Sequence, residues 1–177
     1  MMDCKAALAE AKGDLEEAET ILRKKLGITA SKKAGRDAKE GVIASYIHMG
    51  GKVGVLVEIN CETDFVAKND NFKEFAKDIT LQIAAANPMY VTRDEVPEDV
   101  IAKEREIAAD QVKDKPANVI EKIVDGKIDK FLAGICLMEQ GFIKDQNQSM
   151  EQMIKEKIGE LGENIVIRRF TRYTVGE

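Results

Sequence analysis

The sequence predicts an α+β protein in which an antiparallel sheet of about three strands is flanked by helices. Two β-branched runs stand on either side of a glycine-containing turn near residue 50. Segments with helical periodicity follow, and an alternating run close to the C-terminus predicts a last strand. Because the strands come as a hairpin and then as one late strand, the pattern does not indicate βαβ repeats.

The first 27 residues predict two short helices. Apolar residues at helical spacing lead to Gly13, a common type of helix stop. Asp14 then caps a second helix, with Glu17 at capping-box spacing, and Gly27 ends that helix. We therefore assign residues 1–27 to a small helical domain.

A linker that could be partly helical is predicted over residues 28–40, where Lys, Ala and Gly are frequent and no apolar stripe occurs. We expect its four basic side chains to be solvated. They are Lys32, Lys33, Arg36 and Lys39. Residues 41–177 then form the core domain.

The core opens with a predicted β-hairpin. Its strands cover residues 41–48 and 53–60, and the four residues between them include two glycines. The second run is almost wholly apolar, which is typical of a buried strand in the centre of a sheet.

Three helices are predicted in the middle of the core. The first has one apolar face and stops at the Asn-Pro pair 87–88. The apolar face consists of Phe72, Phe75, Ile79 and Ile83. Prolines at the starts of the segments 97–112 and 116–132 mark the other two helices.

The last part of the core predicts a strand, a loop, a helix and a strand. Residues 135–138 (ICLM) form the short strand, and a polar loop follows. Ser149 caps the helix, and Gly162 closes it. The apolar residues of this helix are Met150, Met153, Ile154 and Ile158. The final strand alternates, with Ile165 and Ile167 on one face and with Val166, Arg168 and Phe170 on the other.

Composition and charge exclude several classes of function. The 177 residues carry a net charge of −5, so a nucleic-acid partner, which requires clustered Lys and Arg, is not expected. No apolar run approaches the ~20 residues that span a bilayer, and no signal-peptide pattern is present, so we expect a cytoplasmic protein without a membrane partner. Cys4, Cys61 and Cys136 are widely spaced and are expected to be reduced thiols.

Catalytic and nucleotide-binding patterns are not found. The glycines of GGKVG lack P-loop spacing and lie in the predicted hairpin turn. The single histidine, His48, lies beside that turn, where a solvated side chain is favoured over a catalytic base. We therefore expect no cofactor and no enzymatic activity, and contact with another macromolecule becomes the favoured type of function.

Residues 60–70 (NCETDFVAKND) place acids beside an aromatic residue where the second strand ends. This segment is either a solvated loop tip with one buried ring or a wedge that enters another molecule. Glu62 and Asp64 would share one face of a continued strand, and paired carboxylates can support acid–base chemistry or hold a metal. The segment lacks the glycine and the terminal glutamate of an EF-hand, and no histidine is near.

The same segment closely resembles the signature of the bacterial elongation factor Ts family, and the resemblance extends over essentially the whole chain. MMDCKAAL is similar to the N-terminal signature of the family, and KKAGRDAKEGVI is similar to its linker. HMGGKVGVLVEINCETDFV is similar to the core hairpin with its contact loop. EKIVDGKIDKF and GENIVIRRF resemble a later helix and the closing strand.

The resemblance implies a ubiquitin-associated-like helical domain, a linker and an α/β core. It implies nucleotide exchange on elongation factor Tu, in its GDP-bound and nucleotide-free forms, during translation elongation. The expected contact corner consists of Thr63, Asp64, Phe65 and Val66, with Asp64 and Phe65 inserted near the partner's Mg²⁺ and phosphate site. A second expected contact consists of Met1, Met2 and Lys5, although packing within the helical unit is an alternative for the methionines.

The sequence departs from the family pattern in three respects. A further helix is expected before Met1, so the helical domain is expected to be partial. One copy of the core is present where a longer family form has two, which implies a homodimer and a two-plus-two complex. Gly141 stands where proline is frequent. The main competing hypothesis is an adaptor that binds other partners through the helical unit, and a metal-dependent enzyme using Glu62 and Asp64 is a more distant one.

Overall fold

The computed structural model describes residues 2–114 and 116–177, and it confirms the α+β class. The helices in these residues are α1 (Met2–Glu10), α2 (Leu15–Lys33), α3 (Asp64–Lys68), α4 (Asp70–Ala86), α5 (Glu98–Asp110), α6 (Ala117–Ile135) and α7 (Met150–Leu161). The strands are β1 (Glu40–Ile47), β2 (Val53–Cys61), β3 (Gly141–Phe142), β4 (Asp145–Ser149) and β5 (Val166–Thr174). No helix within these residues is long and apolar enough to cross a membrane.

Helix α2 is longer than the sequence predicts. Asp14 caps it as expected, because its carboxylate accepts a hydrogen bond from the Glu17 amide at 2.8 Å. The predicted end at Gly27 is wrong, because the helix continues to Lys33. Tertiary packing explains the difference: Leu26 contacts α7 at Gly159, and Ala30 is buried in the main core. The division into domains at residues 27 and 40 stays a prediction.

The predicted linker also contacts the core. The Lys33 ammonium donates a hydrogen bond to the Gly162 carbonyl, and the Arg36 guanidinium lies 3.5 Å from the Glu62 carboxylate. Lys33 is therefore only partly exposed, contrary to the expectation, whereas Arg36 is exposed as expected and pairs with Glu62. Lys32 and Lys39 are exposed as expected.

The main sheet has the order β1-β2-β5, and both pairings are antiparallel. The predicted hairpin and the central position of β2 are thus confirmed. Val55, Val57 and Ile59 of β2 are buried on the face that packs against α4. On the opposite face Leu56 is 50% exposed, so β2 is buried on one side only.

A β-bulge changes the alternation in β5. Glu58 pairs with Arg169, and the next β2 residue, Ile59, pairs with Ile167, so that Arg168 is the additional residue. Phe170 consequently turns to the inner face, where it is partly buried against the main core. The prediction that Phe170 lies on the same face as Val166 is therefore wrong.

The middle helices form where they are predicted. The four apolar residues of α4 are buried, and the helix ends at Asn87 in the left-handed conformation. Helices α5 and α6 start directly after Pro97 and Pro116. They pack against each other around a second apolar cluster, separate from the main core.

The segment after α6 differs from the prediction. The expected strand 135–138 is wrong: α6 extends to Ile135, Cys136 forms only a single parallel bridge with Tyr90, and Leu137–Glu139 is a 3₁₀ turn. The expected polar loop contains the two-stranded sheet β3-β4. The buried Gln82 side chain anchors it, because it donates to the Gly141 carbonyl and accepts from the Ile143 amide.

The last helix and its cap agree with the sequence. Ser149 and Gln152 form a reciprocal capping box at the start of α7, and Gly162 closes the helix with φ of 77°. The four predicted apolar residues of α7 are buried. Glu163 follows directly after Gly162, shortly before β5 begins at Val166.

Candidate functional site

The segment that follows β2 is a tight corner capped by a threonine. Thr63 has extended backbone angles, and its hydroxyl oxygen lies 3.4 Å from the Val66 amide at the start of α3. The thiol of Cys61 donates a hydrogen bond to the Thr63 carbonyl at 3.2 Å. We call residues 61–68 the Phe65 corner.

The carboxylate of Glu163 fixes this corner from a distant part of the chain. One of its oxygens accepts from the Glu62 amide at 3.1 Å and from the Thr63 amide at 3.0 Å. The other accepts from the Thr63 hydroxyl at 2.6 Å. Sequence reasoning missed this residue, and its only local signal is a position directly after the glycine that closes α7.

Glu62 makes the reciprocal contact. Its carboxylate accepts a hydrogen bond from the Asn164 amide at 2.6 Å and lies beside the Arg36 guanidinium. The Asn164 side chain is buried and donates to the Arg36 carbonyl at 2.9 Å. The end of β2, the segment after α2 and the start of β5 are thereby joined at one place.

The ring of Phe65 projects from this fixed corner and is 82% exposed. The alternative of a loop tip with a buried ring is therefore excluded. Val66 is partly buried against the main core, and Ala67 is buried. An exposed aromatic ring between anchored neighbours is an arrangement suited to insertion into a partner.

Asp64 is engaged with its own helix. Its carboxylate accepts a hydrogen bond from the Lys68 ammonium at 2.6 Å, four residues along. That hydrogen bond, together with the positive charge of Lys68, lowers the pKa of Asp64 from its usual value. The carboxylate thus stays ionised at the edge of the corner.

The two carboxylates do not form the shared site that a metal or acid–base mechanism would need. Glu62 is turned toward Asn164 and Arg36, whereas Asp64 is turned toward Lys68. Within residues 2–114 and 116–177, no group of three or more His, Cys, Asp or Glu side chains is placed to hold a metal ion. The arrangement therefore gives no support to the metal-dependent enzyme.

The expected N-terminal contact lies on a different element. Met2 is 78% exposed and Lys5 is exposed on α1, so packing within the helical unit does not account for Met2. Met1 lies outside the described residues. The structure brings the four corner residues together, but it places Met2 and Lys5 on a helix that packs against α2.

Three thiols occupy two kinds of environment. Cys4 is exposed on α1, and Cys61 and Cys136 are buried; all three are free. Burial, and then the negative charge of Glu163, raise the pKa of Cys61 to about 11. Cys61 therefore serves as a packing residue and hydrogen-bond donor beneath the corner.

The face of the main sheet opposite α4 carries exposed apolar side chains. Ile43 and Ile47 of β1 and Leu56 of β2 are between 50% and 67% exposed on this outer face, and Tyr173 of β5 is 71% exposed. Glu58 and Arg169 form an ion pair on the same face at 2.8 Å. The outer sheet face is thus largely apolar, with its central charges already paired.

Comparison with known proteins assigns the family. The family model for "Elongation factor TS" matches residues 4–177. The chain is 56% identical to elongation factor Ts of Geobacter sulfurreducens and 59% identical to that of Carboxydothermus hydrogenoformans, and each comparison covers the whole chain and 83% and 82% of the relative. It is 54% identical to elongation factor Ts of Thermotoga maritima, over the whole chain and 89% of the relative. The chain belongs to the elongation factor Ts family of translation factors.

Proposed function

We propose that this protein is a guanine-nucleotide exchange factor for elongation factor Tu and that it acts through the Phe65 corner. The observation that carries this proposal is the 82% exposed Phe65 ring on a corner fixed by Glu163. Insertion of Asp64 and Phe65 near the Mg²⁺ and phosphate site promotes displacement of Mg²⁺ and release of GDP, so that GTP can rebind. The proposed place of action is the cytoplasm, where translation occurs.

Exchange requires a difference in affinity between two states of the partner. The factor must bind nucleotide-free elongation factor Tu more tightly than the GDP complex. Because this coupling is reciprocal, GDP or GTP must weaken the binding of the factor by the same ratio. The protein therefore accelerates release without itself carrying out a covalent reaction or needing a cofactor.

The Phe65 ring supplies part of the required free energy. Burying one such ring contributes roughly 1.5–3 kcal/mol, which corresponds to about a tenfold to hundredfold change in an equilibrium constant. Loss of the bridging Mg²⁺ and the remaining interface provide the rest. Asp64, which is paired with Lys68, orients the tip, and Thr63 and Val66 shape the corner around it.

A secondary contact by Met1, Met2 and Lys5 is part of the proposal. The exposed Met2 side chain and the exposed Lys5 on α1 support it, since neither is used in packing of the helical unit. This contact adds affinity, whereas the Phe65 corner acts on the nucleotide site.

Release of a fluorescent GDP analogue from elongation factor Tu, chased with excess GDP, tests the exchange function. The parent protein should accelerate release, and Phe65→Ala should lose most of that acceleration. Met89→Ala, which removes another exposed apolar side chain (65% exposed), is the matched control and should behave like the parent. A folded parent with no effect would contradict the proposed function, whereas equal acceleration by parent and Phe65→Ala would contradict only the role of the corner.

The competing adaptor function makes a different binding prediction. An exchange factor must bind nucleotide-free elongation factor Tu and lose that binding when GDP is added. An adaptor that acts through the helical unit has no reason to respond to GDP. Pull-down of nucleotide-free elongation factor Tu with and without GDP separates the two.

We also propose that two copies associate through the outer sheet face, which yields a two-plus-two complex with elongation factor Tu. Support comes from the exposed apolar side chains Ile43, Ile47, Leu56 and Tyr173. The Glu58–Arg169 ion pair at the centre of the face carries no net charge. Such a face is complementary to its own copy in a two-fold arrangement.

Sedimentation or light scattering tests the dimer. The parent should have twice the chain mass of 19.6 kDa, and Leu56→Glu should sediment as a monomer. Met89→Glu introduces the same charge at an exposed residue outside this face and should stay dimeric. A monomeric parent, or a dimeric Leu56→Glu, would contradict the proposed interface.

A further inference from the structure

We propose that Glu163 is a positioning residue for nucleotide exchange, which acts by holding the Phe65 corner in the geometry that enters the partner. This inference rests on the proposed exchange function. It assigns a role in exchange to a residue 98 positions from Phe65 in the sequence, outside the segment that carries the exposed ring.

The contacts of Glu163 show why a carboxylate is needed. Three donors converge on it: the amides of Glu62 and Thr63 and the hydroxyl of Thr63, at 3.1, 3.0 and 2.6 Å. An ionised carboxylate accepts all three without presenting a donor of its own. Hydrogen bonds to a charged acceptor are also shorter and stronger than neutral ones, so the turn is held firmly.

The element that carries Phe65 cannot hold its geometry alone. Helix α3 has five residues, and an isolated helix of that length is not stable in water. Its cap is the Thr63 hydroxyl, which accepts from the Val66 amide. Because the same hydroxyl donates to Glu163, the orientation of the cap depends on the Glu163 carboxylate.

The reciprocal contact of Glu62 limits movement of the whole turn. Glu163 binds the backbone of residues 62 and 63, while Glu62 binds the backbone of Asn164 at 2.6 Å. Residues 62 and 63 are therefore joined to residues 163 and 164 by hydrogen bonds in both directions. Displacement of the corner requires that both carboxylates lose their partners together.

Preorganisation of this kind affects the step in which the ring enters the partner. A corner that is free to move must be ordered during insertion, and this cost appears in the exchange-active complex. The first encounter with the GDP complex, made through other surfaces, is less affected. Loss of Glu163 should therefore lower the limiting rate of release more than it raises the concentration needed for half-maximal release.

The test uses the full chain and a double-mutant cycle in the fluorescent GDP release assay. Glu163→Ala should lower the limiting release rate by about tenfold, the loss expected for removing a charge-assisted contact. Glu163→Gln, which keeps an oxygen acceptor of similar shape, should recover part of this loss. Glu151→Ala is the matched control, because Glu151 pairs with Lys155 on the surface of α7, away from the Phe65 corner, and its release rate should equal that of the parent.

The cycle with Phe65→Ala distinguishes positioning from a general structural role. If Glu163 acts through the ring, Glu163→Ala should have little further effect on the limiting rate in the Phe65→Ala background. A merely structural role would give the same fold-change in both backgrounds. Urea unfolding of each variant establishes that the assays are carried out on folded protein.

The outcomes separate this inference from the proposed function. Non-additive losses for Glu163 and Phe65 support it. A full release rate in folded Glu163→Ala, together with a clear loss in Phe65→Ala, would overturn it while the exchange function stands. Absence of acceleration by the parent would instead overturn the exchange function itself.

Discussion

The Phe65 corner and helix α1 both expose an apolar side chain, but they hold it in different ways. Phe65 stands between Thr63, clamped by Glu163, and the buried Ala67. Met2 stands at the start of a helix that packs on α2 through a small cluster centred on three alanines. These are Ala7, Ala11 and Ala18, with Ile21 and Leu22 at its edge.

The two regions are suited to different tasks. The corner is fixed by a charged acceptor and by the main core, so its ring is preorganised and can act on a defined site. Helix α1 buries only small side chains, so it has little apolar area with which to resist displacement. We therefore expect the corner to control the rate of nucleotide release and α1 to contribute affinity.

The largest effect is expected from a substitution in the β1–β2 strand pair that leads into the corner. Gly41 of β1 pairs with Asn60 and has φ of 148°, and a Cβ there would collide with the Ile59 carbonyl. Gly41→Ala should therefore destabilise the protein by about 3 kcal/mol, at the upper end of overpacking costs. Denaturant unfolding measures this change.

Gly54→Ala is the matched control for that prediction. A Cβ at Gly54 would meet only the end of the Ile47 side chain, at 3.1 Å, and that side chain can move. Its cost should be clearly smaller than that of Gly41→Ala. An equal loss in the free energy of unfolding for the two variants would show that the β1–β2 strand pair tolerates a side chain at Gly41.

The contact between α1 and α2 can be broken by a buried charge. Ala7 is fully buried between α1 and α2, so Ala7→Glu places an unpaired charge in that contact and should detach α1. The concentration of factor for half-maximal GDP release should rise, while the limiting rate should stay close to that of the parent. A titration of release rate against factor concentration measures both.

Ala9→Glu introduces the same charge at an exposed residue of α1 and is the control. It should leave the half-maximal concentration near the parent value. If Ala7→Glu lowers the limiting rate as strongly as Phe65→Ala, α1 would have a direct role at the nucleotide site, and the division of tasks would be wrong.

Thiol reactivity gives a smaller but direct readout of the two regions. Cys4 on α1 is exposed, whereas Cys61 beneath the corner is buried and its pKa is raised to about 11. Near neutral pH a thiol reagent should therefore modify Cys4 rapidly and Cys61 only after unfolding. Mass spectrometry of the parent and of Cys4→Ser checks this expectation, and rapid labelling of Cys61 in folded protein would contradict a rigid corner.

The smallest effect is expected from Asp64→Asn. The Lys68 ammonium lowers the pKa of Asp64, so the pair stabilises the fold above the unfolded pKa of Asp64 and loses this contribution as pH falls through the lower folded value. The variant should be slightly less stable than the parent at pH 7, and the difference should vanish in acid. Both side chains are exposed, so the change should be small; a growing difference in acid would have the wrong sign.

Local chemistry explains what the sequence could predict. The turn between β1 and β2 needs two residues with positive φ, and Gly50 and Gly51 supply them at 88° and 68°. Residues close together in the sequence likewise determine the helix caps at Asp14 and Ser149 and the apolar face of α4. The sequence does not determine whether the Phe65 ring is buried, and the structure shows that it is exposed.

Long-range contacts explain what the sequence could not predict. Thr63 and Glu163 are 100 positions apart, so no local pattern joins them. Gly27 did not end α2 because Leu26 and Ala30 gain packing against the core. The β3-β4 sheet depends on the buried Gln82 of another helix rather than on an apolar alternation of its own.

The most direct test of the division of tasks is a stopped-flow titration of GDP release from elongation factor Tu by the parent and by Phe65→Ala. The release rate is measured against factor concentration up to saturation. We predict that Phe65→Ala lowers the limiting rate by about tenfold or more, with a much smaller change in the half-saturating concentration. An unchanged limiting rate with a raised half-saturating concentration would show that Phe65 contributes only affinity, and would contradict the role of the corner in nucleotide release.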